Sequence, residues 1–316
     1  MDVKEESSQE FSKRIFSSLS RGRFPWSCQW ELTCRCNLRC IMCYTDVFNT
    51  PGRIRQELSA GEIFNILDEL HEAGCLEITF TGGEPFSRPD FKEIYERASK
   101  LGFLLTIFTN GTLIDEETAD WLAEYPPQRV EISLHGISAG VFDGVTQISG
   151  SFRRCLEAVK LLRERQIPLA LKTVGLTANQ DEILAVKRYA GSLGEGVEWR
   201  FGQYLRDNLA KDGDPFQYQL SEDKLQEIER EDPTLWQAKC DEVEKYKSIT
   251  GCSPKLYSFH IDACGRLQIC SNNRLASYDL RKGSFQEGFY KVLPTFSCPR
   301  RAAENHSEIL STSAKE

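Results

Sequence analysis

Four cysteines, Cys34, Cys36, Cys40 and Cys43, fall within ten residues of a 316-residue chain that carries twelve in all. Thiols at that density pair as disulfides, close a tetrahedron around zinc or hold an iron–sulfur cluster. Cys36, Cys40 and Cys43 are spaced C-x3-C-x2-C. A loop with those gaps can wrap three thiolates around a cubane and leave the fourth iron without a protein ligand. Zinc needs a fourth Cys or His, and Cys34 is the candidate. Compartment bears on the disulfide option. The first 25 residues hold no run of seven apolar residues and the chain no stretch of eighteen, so neither a secretory signal nor a membrane span is expected. In the reducing cytoplasm expected for such a chain, disulfides are rare.

Three further short stretches carry groups suited to a ligand: TGGEP (81–85), TNG (109–111) and SLHG (133–136). Glycines 82 and 83 let backbone approach a ligand closely. A second set of cysteines, Cys252, Cys264, Cys270 and Cys298, lies near the C-terminus. Cys28, Cys75 and Cys155 have no such neighbours and read as small buried hydrophobes. His71, His260 and His306 lack a partner pattern and read as ordinary surface or core residues. The net charge of −8 argues against a nucleic-acid partner.

The elements that must position these stretches alternate. Strands are expected at 26–32, 76–80, 103–109, 129–134, 168–174 and 197–201. Between them lie amphipathic helices: one opened by Ser59 and Glu62 as a capping box, one after Asp90, one from Asp115, one over about 152–165, and one that Asn179 would cap. Six β-then-α units in a row imply parallel strands with right-handed crossovers. That pattern fits a doubly wound sheet or a complete or partial barrel, and in each case ligands gather at the carboxyl ends of the strands. The cysteine loop, TGGEP, TNG and SLHG all follow such ends. Past residue 202 the chain becomes polar, then helical and charged to about 247, then cysteine-bearing, which places a domain boundary near 205.

The motifs ELTCRCNLRCIMCY, TFTGGEP, FTNG and ISLHG, in this order and on these strand ends, resemble the radical S-adenosylmethionine superfamily over about residues 26–201. The resemblance implies a partial (β/α)6 barrel over 26–205, preceded by a lead segment over 1–25. It also implies a [4Fe–4S] cluster on Cys36, Cys40 and Cys43, with S-adenosylmethionine chelating the open iron. One electron then cleaves the sulfonium and yields a 5′-deoxyadenosyl radical, chemistry that the cofactors carry. The carbonyls of Gly82 and Gly83 and the carboxylate of Glu84 are expected at the cofactor's ammonium, Ser133 at its polar groups and Lys172 at its carboxylate. Asn110 is expected to shape the turn. Met42 stands where the family often has an aromatic or His, and Met packs beside a cluster. His135 replaces the Asp of many relatives, which leaves a ribose contact unassigned.

Cys252, Gly265 and Cys270 resemble the opening of the SPASM and twitch extensions, with FHIDACGRLQIC as their β-hairpin and Gly265 in its turn. That implies an auxiliary iron–sulfur cluster within 206–316, ligated by Cys252, Cys270 and Cys298, with Cys264, Cys240 or no residue as fourth ligand. A ribosomally made peptide is the expected substrate. The alternatives are a small-molecule dehydrogenase or rearrangement enzyme, and, from another class, a non-catalytic iron–sulfur electron carrier, for which TGGEP would be superfluous. A flavodoxin or ferredoxin reductant is implied as partner. With 35 residues ahead of Cys36, no precursor-binding domain is expected in front of the barrel, so a peptide substrate is expected to lie directly in the barrel mouth or to arrive with a separate peptide-recognition protein.

Overall fold

The computed structural model describes residues 22–45, 51–206, 214–238, 240, 257–272, 274 and 276–296. Cys252, Cys298 and His306 lie outside them. Six strands appear where alternation placed them: Ser27–Thr33 (β1), Glu77–Gly82 (β2), Leu104–Thr109 (β3), Arg129–Ser133 (β4), Leu169–Val174 (β5) and Val197–Gly202 (β6). Adjacent strands are parallel throughout. The helices of eight or more residues are Ala60–Glu72 (α1), Phe91–Lys100 (α2), Glu116–Glu124 (α3), Ala139–Thr146 (α4), Ser151–Glu164 (α5), Ile183–Ser192 (α6) and, after β6, Glu222–Glu231 (α7). Among the described residues no helix is long and apolar enough to cross a membrane.

The two faces of each strand explain the layering, because successive side chains point to opposite sides. On β1, Cys28, Trp30 and Leu32 join the core beneath the helices, with Ile78 and Phe80 of β2 and Leu105 and Ile107 of β3. Cys75 and Cys155 are buried in the same core, as expected of small apolar side chains. The other face carries Gln29, Glu31, Thr81, Ser133 and Lys172, so the concave side of the sheet is polar.

The strand order is β6-β5-β4-β3-β2-β1-β7-β8-β9. The first six strands are the partial (β/α)6 arrangement expected. The sheet then continues: Ser258–Ile261 (β7) runs parallel to β1, while Arg266–Gln268 (β8) and Tyr278–Asp279 (β9) return antiparallel. Gly265 turns the β7–β8 hairpin with φ +80°. Arg274 fastens this extension to β1, its Nη1 donating to Glu31 Oε2 at 2.8 Å and its Nη2 to Glu31 Oε1.

Ser59 and Glu62 form the capping box of α1. Asn179 does not cap α6. Glu182 holds that position, and the Asn179 side chain is buried instead, accepting from Leu176 N and donating to the carbonyls of His135 and Val174. Helix α4 was not anticipated, although Ser138 caps it and Phe142, Val145 and Thr146 are its buried face.

Two histidines are sealed in this scaffold, His135 and His260, and burial holds each down to about 4 from an ordinary 6.5. A histidine held neutral contributes stability in full above pH 6.5 and loses it as pH falls toward 4, because the unfolded chain takes up the proton first. Between pH 7.5 and 5, each is expected to cost roughly 2 kcal/mol. Urea unfolding of the apoprotein at the two pH values checks this: His260→Gln should reduce the acid loss by roughly 2 kcal/mol relative to the unaltered protein.

Candidate active site

The cysteine loop leaves β1 and is fixed by backbone before any cofactor is considered. Thr33 and Cys34 are held by Glu57, whose Oε1 accepts from Thr33 Oγ1 (2.8 Å) and Cys34 N (2.7 Å). The carbonyl end of α4 then receives the loop, with Arg39 N donating to Thr146 O and Ile41 N to Val145 O, each at 3.0 Å. These are carbonyls that a helix leaves free at its C-terminus. Met42 packs with Val145 and Leu176. Helix α4 is thus what shapes the loop.

The result brings Cys36, Cys40 and Cys43 to one cavity of about 400 Å³, which Gly82, Gly83, Asn110, Ser133, His135 and Lys172 also line. Burial pushes the Cys36 thiol up to about 12 and raises Cys40 as well. Thiols in that state become ligands only with a metal's positive charge beside them. Leu38 N donates to Cys36 Sγ at 3.4 Å and Asn110 Nδ2 at 3.9 Å, donors suited to a thiolate sulfur. Among the described residues no three Cys, His, Asp or Glu converge where a single ion would sit. Thiols spread around a shared cavity suit a cubane, which meets its thiolates at separate corners. Cys34 is not in this lining. It lines a second cavity of about 230 Å³ together with Cys264.

Gly82 sits at φ +133°, and a Cβ there would meet Thr33 O at 2.5 Å, so only glycine fits between the strand ends. Gly83 N and Glu84 N donate back to Thr33 O and Arg35 O, so this turn and the cysteine loop form one backbone unit. Glu84 itself departs from expectation. Its side chain is fully buried and absent from the cavity wall. Its carboxylate accepts from Thr109 Oγ1 (2.8 Å), Asn110 N (2.7 Å) and Phe86 N (3.2 Å). Burial raises its carboxyl to about 7 while those donors pull it back. The reason is geometric: the extended backbone at Glu84 (φ −137°, ψ 113°) aims the side chain across to the β3 loop. Glu84 therefore joins two loops from behind.

Asn110 shapes its turn as expected. Its Oδ1 accepts from Thr112 N and Oγ1, and its Nδ2 donates to Asn37 Oδ1 at 2.9 Å. His135 Nδ1 accepts from Val174 N at 3.3 Å, which leaves the proton of the neutral ring on Nε2. Lys172 Nζ lies 3.7 Å over the Phe108 ring and 3.4 Å from Glu131 Oε2. Burial draws its pKa down, offset by Glu131.

Of the C-terminal cysteines, Cys264 sits in the hairpin turn and Cys270 lies two residues beyond the end of β8. Cys264 lines the smaller cavity, and Cys270 lines neither cavity.

The family model of the Radical SAM superfamily matches residues 30–190. An AdoMet-dependent heme synthase of Methanosarcina barkeri is 32% identical over 165 residues, covering 52% of this chain and 47% of its own. A PqqA peptide cyclase of Bradyrhizobium diazoefficiens is 34% identical over 150 residues, 48% of this chain and 39% of its own. The chain thus spans less than half the length of these two relatives. The solved structure of Streptococcus suis SuiB bound to S-adenosylmethionine superposes with a TM-score of 0.70 at 15% identity, over 92% of this chain and 73% of SuiB, a likeness of fold. SuiB has also been solved bound to its precursor peptide SuiA.

Proposed function

We infer the function of this chain from its family: it belongs to the radical SAM superfamily, and membership implies a [4Fe–4S] cluster and S-adenosylmethionine as cofactors. When bound, these supply a 5′-deoxyadenosyl radical that takes a hydrogen atom from substrate. Cys36, Cys40 and Cys43 would hold the cluster. The Gly82–Gly83 backbone would receive the ammonium of S-adenosylmethionine, and Ser133 and Lys172 its carboxylate end. Glu84 keeps the glycine turn and the Asn110 loop in register. Leu38, Met42, Phe108 and Phe142 wall the same cavity and exclude water from the reacting region. We place a core barrel over 26–205 and, over 206–316, a module in which Cys252, Cys270 and Cys298 hold an auxiliary iron–sulfur cluster. The reductant is a flavodoxin- or ferredoxin-type protein of the cytoplasm.

The observation that carries this reading is one cavity onto which three thiols, a glycine turn only glycine can make and the Asn110 loop all converge. A ribosomally made peptide is the substrate class we favour, since a peptide cyclase is among the relatives and a fold neighbour has been solved with a precursor peptide. Such a substrate would arrive alone or with a separate recognition protein. The heme synthase relative favours a second reading, a small-molecule substrate. Incubating reconstituted enzyme with S-adenosylmethionine, dithionite and each short peptide encoded beside the gene tests the choice. A peptide mass change matched by 5′-deoxyadenosine supports the first reading. Turnover only on a metabolite of the neighbouring pathway overturns it.

A further inference from the structure

The chain carries a net charge of −8, yet its cavities do not share that sign. Among the described residues, Lys172 and Arg206 line the larger cavity and no carboxylate does. Arg53, Arg266 and Arg274 line the smaller one, against Glu31 and Asp262. The two cavities share Thr45 and the Gly82–Gly83 turn as a common wall, so a substrate reaching the cofactors meets both linings. The cofactors do not absorb this excess. S-adenosylmethionine carries one net positive charge and an oxidised cubane on three thiolates one net negative charge, which cancel.

Most of the cations have carboxylates of their own. Arg274 is taken by Glu31, Arg266 by Asp279 at 3.2 Å, and Lys172 shares Glu131 with Arg129 and Arg200. Arg206 differs. Its Nη1 donates to Ser271 Oγ at 3.0 Å and its guanidinium lies 5.0 Å from the centre of the Tyr44 ring. Among the described residues no carboxylate comes within ion-pair distance of it. Glu31 feels its charge at longer range, but accepts its hydrogen bonds from Arg274. A guanidinium backed by an aromatic face, with donors left over at a cavity, is suited to bidentate capture of a carboxylate. A positive lining inside a cleft also concentrates anions there.

Resting on the radical reading above, we propose that the site selects a substrate bearing an Asp or Glu side chain beside the residue that reacts, and that Arg206 is the specificity residue that takes this carboxylate. The probes are two fluorescent synthetic peptides of one sequence, one with Glu and the other with Gln at alternate positions, bound to reconstituted holoenzyme in the presence of S-adenosylmethionine. The Glu peptide is expected to bind about tenfold more tightly at low salt, with the difference shrinking as ionic strength rises. Arg206→Gln should weaken the Glu peptide about fivefold and leave the Gln peptide unchanged. Lys160→Gln, on the outer side of α5 where Lys160 is engaged by Glu157 and Glu164, should change neither. Equal binding of the two peptides by the unaltered protein, or an Arg206→Gln protein that keeps the full tenfold preference for Glu, overturns the proposal, as does equal weakening by Lys160→Gln. Displacement of the Glu peptide by millimolar glutarate would show a free carboxylate to suffice; no displacement would show that the carboxylate is read on a peptide. Release of 5′-deoxyadenosine by the same protein reports the radical reading separately. Its absence with Glu preference intact overturns that reading alone, and its presence without Glu preference overturns the charge proposal alone.

Discussion

Protein in which Cys36, Cys40 and Cys43 are all replaced by Ala is expected to lose about four irons per chain and to release 5′-deoxyadenosine no faster than protein-free buffer. The effect is total because the three thiols are the cavity's only cysteines among the described residues, and a cubane deprived of its thiolates has nothing to hold it. Cys34→Ala is the control. Cys34 lies in the separate cavity with Cys264, buried enough that its thiol is pushed up to about 12. It should retain the iron and the cleavage activity. Iron analysis and chromatography of the nucleoside product check both. If Cys34 proves as necessary as the other three, a four-thiolate site replaces the open-iron one. Iron and sulfide that persist in the triple variant, and vanish on further loss of Cys252 and Cys270, would mark the auxiliary cluster.

Glu84→Ala is expected to have the largest effect on stability. It strands three buried or part-buried donors, Thr109 Oγ1, Asn110 N and Phe86 N. Each buried group left unpaired costs about 1–3 kcal/mol, which water entering the vacated space offsets in part, so a loss of about 3–5 kcal/mol is expected. Thr109→Val, which removes one of those donors and strands Gly111 N, a donor to Thr109 Oγ1 at 2.9 Å, should cost about 1–3 kcal/mol. Affinity for S-adenosylmethionine should fall in Glu84→Ala as a consequence, because the Gly82–Gly83 turn loses its tie to the Asn110 loop. Urea unfolding and isothermal titration separate the two effects. An unchanged unfolding midpoint with weakened cofactor binding would return Glu84 to direct contact with the ammonium.

The direction of the Glu84 side chain is not legible in the sequence. Its place in TGGEP was legible, but its direction depends on one backbone conformation that no spacing encodes. The six strands were legible because each alternates or is continuously apolar, and a strand buried on its helix side must carry residues such as Trp30, Phe80 and Ile107 there. Helix α4 was missed because its sequence, AGVFDGVT, holds two glycines and β-branched residues that lower helix propensity. Tertiary contacts carry it: Asp143 accepts from Gly150 N, Ser151 Oγ and Phe152 N. Asn179 looked like a helix cap because Asn favours that role, but the same side chain satisfies a buried turn equally well. Glu57, which fixes the start of the cysteine loop from 23 residues away, left no local signal. The fusion of β7 to β1 was equally hidden, since four residues of strand carry no indication of their partner.

The central claim is that three thiolates hold a cubane whose fourth iron is left for S-adenosylmethionine. Electron paramagnetic resonance of the dithionite-reduced protein, prepared with Cys252 and Cys270 replaced by Ala so that the N-terminal cluster alone is observed, tests it most directly. Adding S-adenosylmethionine is predicted to shift the g-values of the reduced [4Fe–4S] signal, because the cofactor becomes a ligand of the open iron. A spectrum identical with and without S-adenosylmethionine, at concentrations that saturate binding measured independently, would contradict it.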